Sequence, residues 1–501
     1  MRLDGRVDSL IGTAQGMGLL RAGETCWRIA PAGRVKFLVD CQDYFAALRR
    51  ALGRARRSIH LLGWSFDPRA ILTPADEVDP SQIGHTLIAL AKANPDLDVK
   101  LLVWRSALPI SATQAFFPHR AKGWFRGTPV RFELDETVPL GACHHQKAVI
   151  VDDAVAFVGG ADFACDRWDT CEHLDRDPRR VHAGGGRCGP RHEVMAMVDG
   201  EAAAALGEVF RARWRAAVGE IADPPAGPAP DVWPTGVKPD LEGARLGVAL
   251  TAPAWRGKGA VREIAALTLE AIAAAKSLIY LENQYFTWPL AVEALAARLA
   301  DPEGPEIVLV CTAKSPSYFD RITMDRARSN AIWRLKSSDV FGRFHALAPF
   351  APEGRRIIAH AKVAIFDDWL ARVSSANLNN RSHGYDTELE LAVEAEAPAD
   401  RAVVAALRDR LAGHWLGRSG AEVAQMRELS GGLAQALWAL DGGHRLRPLR
   451  TRRLDLAGEF IADFHIGDPA GRADSWAPWL RRRRLIAESR SLRQALAAPR
   501  G

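Results

Sequence analysis

This 501-residue chain has neither a long apolar run nor a paired cysteine framework. No stretch reaches the roughly 20 uncharged apolar residues a membrane-spanning helix requires. The first 20 residues carry Asp4 and Asp8 and lack a basic segment followed by an apolar core, so no cleaved secretion signal is expected. The seven cysteines are odd in number and show no paired spacing, which argues for free thiols and a reducing compartment. One-sided charge is also missing: 66 Lys and Arg against 60 Asp and Glu leave a net charge of +6. Much of that excess sits late, at 445–453 and 481–484. It reads either as solvated surface charge or as attraction to an anionic surface, lipid or nucleic acid, and composition does not separate these.

What is present is the composition of a globular protein, 48% hydrophobic and 25% charged. A chain of this length exceeds one ordinary core, so two or more packed units are expected. Six prolines between 222 and 239 mark a linker. On either side of it the same order of elements occurs twice. A helical pattern at 44–57 leads into a strand-like SIHLLGW at 58–64, and one at 261–276 leads into SLIYLENQYF at 277–286. Each is followed by a helical stretch (83–94, then 291–299) and a second buried-strand pattern (99–104, then 306–311). Segments 130–134 and 344–348 correspond further on.

The expected fold is therefore α/β, with two similar units packed pseudo-symmetrically, each around a largely parallel sheet. The boundaries read as an N-terminal segment 1–34, a first unit 35–220, a linker 221–245, a second unit 246–420 and a C-terminal extension 421–501.

Chemistry concentrates in two matching segments: 144–162, HHQKAVIVDDAVAFVGGAD, and 360–377, HAKVAIFDDWLARVSSAN. Aligned, His145, Lys147 and Asp152 match His360, Lys362 and Asp367. A small-residue pair follows each aspartate (Gly159-Gly160, Ser374-Ser375), and Asp162 or Asn377 stands just beyond. Side chains alternate along a strand, so a histidine and a lysine two residues apart share a face. Imidazole for proton or covalent chemistry beside an ammonium suits a phosphate. The adjacent aspartates read as a hairpin turn, and the small pair lets backbone approach an anion closely. One such motif can arise by chance; two at corresponding places of a repeat do not.

This doubled histidine–lysine–aspartate motif resembles the phospholipase D superfamily over most of the chain, from about Val35 to Leu416. The fragments Gly159-Gly-Ala-Asp-Phe with Arg167-Trp-Asp169, Glu282-Asn-Gln-Tyr-Phe286 and Ser375-Ala-Asn-Leu-Asn-Asn-Arg-Ser382 sharpen the likeness. Gly160 and Asp162 depart from the serine and asparagine that the family often carries, and Ser374 from its glycine; an active enzyme is still expected.

The resemblance implies a phosphodiesterase acting through a phosphohistidine, with His145 the nucleophile and His360 the acid/base. The symmetry of the repeat leaves that order open. Lys147 and Lys362, with Asn377 and Asp162, would hold the phosphate oxygens. Asp152 and Asp367 would support the site from behind or simply end the strand. No metal or cofactor is expected, because two cations and an acid already supply what a metal would.

The repeat also aligns Glu193 with Glu388, each ahead of an apolar strand. They are read as carboxylates that orient an imidazole and fix its tautomer, with an ordinary surface role the bland reading for Glu193. Between the first motif and Glu193 an insert, 163–192, carries Cys165, Cys171, His173, His182, Cys188 and His192. Its spacings lack the close pairs of zinc sites, so a mobile glycine-rich substrate loop around Gly184–Gly186 is the favoured reading over zinc.

The expected partner is a glycerophospholipid at a membrane surface, with Trp64, Trp104, Trp124, Trp168, Tyr285 and Phe286 either lining a pocket or filling the core. A cardiolipin synthase-like transferase and a nuclease are the alternatives, and a non-catalytic lipid scaffold is a third class. Nucleic acid is not the expected substrate, no obligatory protein partner is expected, and the chain reads as a monomer. The cytoplasm or the membrane periphery is the expected location, with export by another route left open by the resemblance.

Overall fold

The computed structural model describes residues 18–74, 81–108, 110, 115–182, 184–451 and 455–497. Strand and helix alternate because apolar runs of four to eight residues alternate with longer amphipathic ones. Ser58–Gly63 and Leu278–Glu282 are buried on both faces, which is why they read as unbroken apolar runs. Helix Asp40–Leu52 turns Tyr44, Phe45, Leu48 and Leu52 into the core. Helix Gly200–Val218 ends at Gly219, whose φ of 82° needs the freedom of glycine.

The first unit's sheet has eight strands in the spatial order Leu241–Ala244, Ala32–Val39, Val194–Asp199, Val155–Gly159, Ala148–Val151, Ser58–Gly63, Asp98–Trp104, Arg131–Asp135. The second repeats seven of these in the same order: Leu246–Ala252, Glu388–Glu394, Leu370–Ser374, Val363–Phe366, Leu278–Glu282, Glu306–Val310, Phe344–Pro349. Both sheets are mixed, not largely parallel as expected. Parallel pairing is confined to the three strands joined by crossovers. Around the motifs the connections are short hairpins, and a hairpin can only pair antiparallel.

The expected boundaries blur in an instructive way. Leu241–Ala244, inside the expected linker 221–245, is an edge strand of the first sheet, pairing with Ala32–Val39. Arg28–Ile29, ahead of the first unit, pairs with Leu246–Ala252 of the second. Each unit thus carries a short strand from the approach to the other. The C-terminal extension adds Leu446–Pro448 to the second sheet and lays helix Pro478–Ala497 against helix Pro289–Ala300.

One apolar core runs through both units, including Val35, Ile150, Val158 and Trp214 of the first and Val308, Val363, Leu389 and Trp415 of the second. Burying each such side chain is worth ~1.5–3 kcal/mol, so the interface is core and not a hinge.

Candidate active site

The two histidine–lysine segments lie in extended lead-ins, since sheet pairing begins only at Ala148 and Val363. Pairing with the opposite unit is what holds them. His144 bridges Thr387, and the His145 N–H donates to the Thr387 carbonyl at 3.0 Å. A short parallel ladder joins Arg191–His192 to Ile358–Ala359, and the His360 N–H donates to the His192 carbonyl at 2.9 Å. Each histidine segment therefore runs beside the other unit's glutamate segment.

The side chains pair the same way. His145 Nδ1 stands 2.9 Å from Glu388 Oε2, and His360 Nδ1 stands 2.7 Å from Glu193 Oε1. An ionised carboxylate only accepts, so His145 Nδ1 donates and its Nε2 keeps a lone pair, whereas His360 and Glu193 meet as a close ion pair outside hydrogen-bond geometry. The rings remain 16% and 10% exposed while the glutamates are 0% and 1%, so imidazoles meet solvent and carboxylates do not.

Lys147 and Lys362 donate to the carbonyls of His145 and His360 at 3.0 and 2.5 Å, which sets both ammonium groups beside the rings. Burial, then the Lys147 charge, holds His145 well below the ordinary imidazole range. Burial, then Lys362, Arg191 and Arg167, does the same to His360. Lys362 also acts on His145, and Lys147 on His360, so the four groups share one field. Burial, with Lys147 and Arg167 nearby, pushes Lys362 down to about 7 despite Glu193. Burial raises Glu388 to about 7 against the pull of Lys147.

The halves differ in how they hold their glutamates. Ser375 Oγ donates to Glu388 Oε2 at 2.5 Å. Its counterpart Gly160 is tightly enclosed: a Cβ there would stand 3.0 Å from Glu193 Oε2 and from the His360 carbonyl, and 3.1 Å from Lys362 Cδ. In place of a hydroxyl, the buried guanidinium of Arg167 stands 3.9 Å from Glu193. The roles of Ser375 and Arg167 escaped the sequence reading, although both lie in the quoted motifs.

Asp162 accepts from the backbone N–H of Trp64 at 2.9 Å and of Ser65 at 3.2 Å, with Lys147 Nζ at 3.4 Å, so it braces a strand end beside the lysine. Asn377 sits in a loop tied down from the C-terminal extension. Asp468 accepts there from the N–H groups of Asn380 and Arg381 at 3.1 and 3.0 Å and from Thr287 Oγ1 at 2.9 Å.

Asp152 and Asp367 lie at the far ends of the strands that follow the histidines, in left-handed turns with φ of 56° and 51°. Asp152 accepts the N–H groups of Arg56, Arg57 and Ser58 at 2.7–2.8 Å, and Asp367 those of Lys276, Ser277 and Leu278 at 2.8–2.9 Å. They pin each hairpin to the neighbouring strand and do not reach the rings.

Within the insert, Cys171 is exposed, Cys165 Sγ lies 3.1 Å from Asp67 and Cys188 Sγ lies 3.7 Å from the Cys165 carbonyl, so no cysteine cluster forms among the described residues. Gly184–Gly186 form an exposed turn closed by the Val181–Arg187 bridge. Of the aromatics, Trp64 is at the site, stacked on Trp104 and edge-on to His145 with ring centres 6.3 Å apart. Trp168 and Phe286 are core.

Residues 51–225 match the family described as Phospholipase D, and residues 268–415 match Cardiolipin synthase, PLD-like domain. The chain belongs to the phospholipase D superfamily. This superfamily member is 26% identical to Phospholipase D A of Dictyostelium discoideum over 72% of its own length and 32% of the relative's. It is 28% identical to Phospholipase D alpha 2 of Oryza sativa subsp. japonica over 70% of its length and 59% of that protein's. It thus spans about a third of the slime-mould relative. The fold is shared with the crystal structure of phosphatidylserine synthase from Haemophilus influenzae Rd KW20: TM-score 0.54, 12% identity, covering 83% of this chain and 91% of that one.

Proposed function

We propose that the chain is a phospholipase D-type phosphodiesterase that hydrolyses, or exchanges with an alcohol, the headgroup phosphodiester of glycerophospholipids. The observation that carries this is the crossed pair of histidine–glutamate contacts, each with a lysine beside its ring. His145 Nε2 attacks phosphorus while protonated His360 gives its proton to the leaving alcohol. The P–O bond breaks as the P–N bond forms. His360, now neutral, takes a proton from water or a second alcohol, whose oxygen then displaces His145. Phosphatidic acid or the exchanged lipid leaves, and His360 is protonated again.

Both rings are held toward neutrality in the free protein, which keeps the nucleophile ready. The anionic phosphate offsets the lysine field and restores proton affinity to the acid. Lys147 and Lys362 stabilise the equatorial oxygens, with Asn377 and the backbone around Asp162 beside them. A separate open cleft of about 1120 Å³ in the second unit, lined by none of the catalytic groups, carries Arg321, Arg326, Arg356, Arg447 and Arg450 against Asp325 and Asp455, and this basic excess supports an anionic surface as the partner.

The test incubates the protein with phosphatidylcholine and a short alcohol; choline and the exchanged lipid should appear together, and turnover should survive chelator below the unfolding temperature. The match of residues 268–415 to the cardiolipin synthase family favours a phosphatidyl transferase as the second reading. Cardiolipin formed from phosphatidylglycerol, with no choline released in the first assay, would select it. Plasmid cleavage without lipid turnover would overturn both.

A further inference from the structure

Away from the catalytic rings, three imidazoles and a carboxylate converge where the units meet. Asp40 opens helix Asp40–Leu52, His173 lies in the insert, His192 precedes Glu193, and His414 closes helix Pro398–His414 of the second unit. Asp40, His173 and His192 are at most 1% exposed and His414 8%. His173 Nε2 is 2.9 Å from His414 Nε2 and 3.5 Å from Asp40 Oδ2, and His414 Nε2 is 3.2 Å from that oxygen. A triangle with those sides has a centre about 1.9 Å from every corner, close to zinc–nitrogen and zinc–oxygen bond lengths of roughly 2.0–2.2 Å.

Hydrogen bonding leaves this point short of donors. Asp169 Oδ2 stands 2.9 Å from His173 Nδ1, so the neutral ring carries its proton there and turns a lone pair from Nε2 toward the centre. Asp40 Oδ2 is a second lone pair, buried and without a hydrogen-bond partner among the described residues. Its other oxygen is taken by His192 Nδ1 at 2.9 Å, and His192 Nε2 faces Glu282 at 2.9 Å. Among the described residues at this point His414 is left to donate, and one N–H does not serve two acceptors.

We propose that Asp40 Oδ2, His173 Nε2 and His414 Nε2 hold a divalent transition-metal ion, zinc by the borderline nitrogen–oxygen character of the set. His192, with both nitrogens taken by Asp40 and Glu282, fixes the other oxygen of Asp40. The Asp169–His173 contact is the carboxylate support that a metal-bound imidazole usually has behind it. Asp40 and His173 belong to the first unit and His414 to the second, so the ion cross-links the two. It braces the strand entry that carries Glu193 and takes no part in phosphoryl transfer. The metal site follows from the fold and is the same whichever phosphodiester is the substrate.

The test takes the full chain, purified without metal-affinity resin, through elemental analysis. About one equivalent of zinc or another first-row metal per chain is expected, lost in Asp40→Asn and His414→Gln. Chelator-stripped wild type is then titrated with Zn²⁺ alone; Tm should rise by about 2–3 °C once zinc exceeds its dissociation constant a hundredfold. Co²⁺ should give visible bands of a nitrogen–oxygen site. If the variants do not fold, the wild-type titration alone decides. Metal-free wild type that takes up neither ion, or full metal content persisting in folded His414→Gln, would overturn the site and leave a proton-shared histidine cluster.

Discussion

Glutamine in place of Glu388 keeps the side-chain shape and removes the charge that His145 Nδ1 meets at 2.9 Å. A charge-assisted hydrogen bond is worth ~1–1.5 kcal/mol more than a neutral one, about tenfold in rate. A second loss follows if the carboxamide nitrogen turns to the ring. It would donate to Nδ1 and send the imidazole proton to Nε2, the atom that must attack. In a serine protease triad the equivalent aspartate-to-asparagine change costs ~10⁴ through this wrong tautomer. The Glu388→Gln variant should therefore form phosphoenzyme ~10–10⁴ times more slowly, toward the lower end where Ser375, which donates to that same oxygen, keeps the carboxamide oxygen facing the ring.

Crossed pairing makes the companion variant behave differently. Glu193→Gln touches His360, the proton donor. With a p-nitrophenyl diester, whose leaving group needs no proton, its burst should stay within about threefold of wild type while breakdown of the phosphoenzyme slows ~10–100-fold. Rapid quench separates the two phases, and the downfield Nδ1–H resonance of each histidine reports its own glutamate. If Glu388→Gln shifts the His360 resonance, or both variants slow the same phase, the crossed assignment is refuted.

Lys362, held down to about 7, loses its charge as pH rises, so KM should climb between about pH 6 and 9. In Lys362→Met that climb disappears, while in wild type the depressed imidazoles place the acid limb below pH 6.5. Asp367→Ala strands three backbone amides and should cost ~3 kcal/mol in chemical denaturation, with kcat of the folded fraction within threefold. Burial would raise the Asp367 carboxyl, but those amides outweigh it and hold it below its usual range. Its contribution is therefore present at neutral pH and lost as pH falls through its folded-state value. Gly160→Ser, though it restores the residue common in the family, should lower kcat at least tenfold, because its Cβ meets the His360 carbonyl at 3.0 Å. Asp468→Ala frees the loop beside Asn377 and should raise KM more than it lowers kcat; equal effects on both, or none, would remove the extension from the site.

Much of this protein was legible in its residues alone. Spacing put a lysine two residues after each histidine and a paired aspartate at each hairpin, because local geometry decides what shares a face or a turn. Repetition of that spacing identified the two units and matched Glu193 with Glu388. Three things were not legible. The parallel sheet expected from alternating strands and helices is mixed, because hairpins at 152–153 and 367–368 reverse the chain beside the motifs. The edge strands at 28–29 and 241–244 are too short for periodicity to register. Above all, each histidine takes the glutamate of the opposite unit, 243 positions along the chain for His145. Such a partner is chosen by how two buried faces pack, and no local pattern of residues encodes which face meets which; the same packing alone brings Asp40, His173 and His414 to one point.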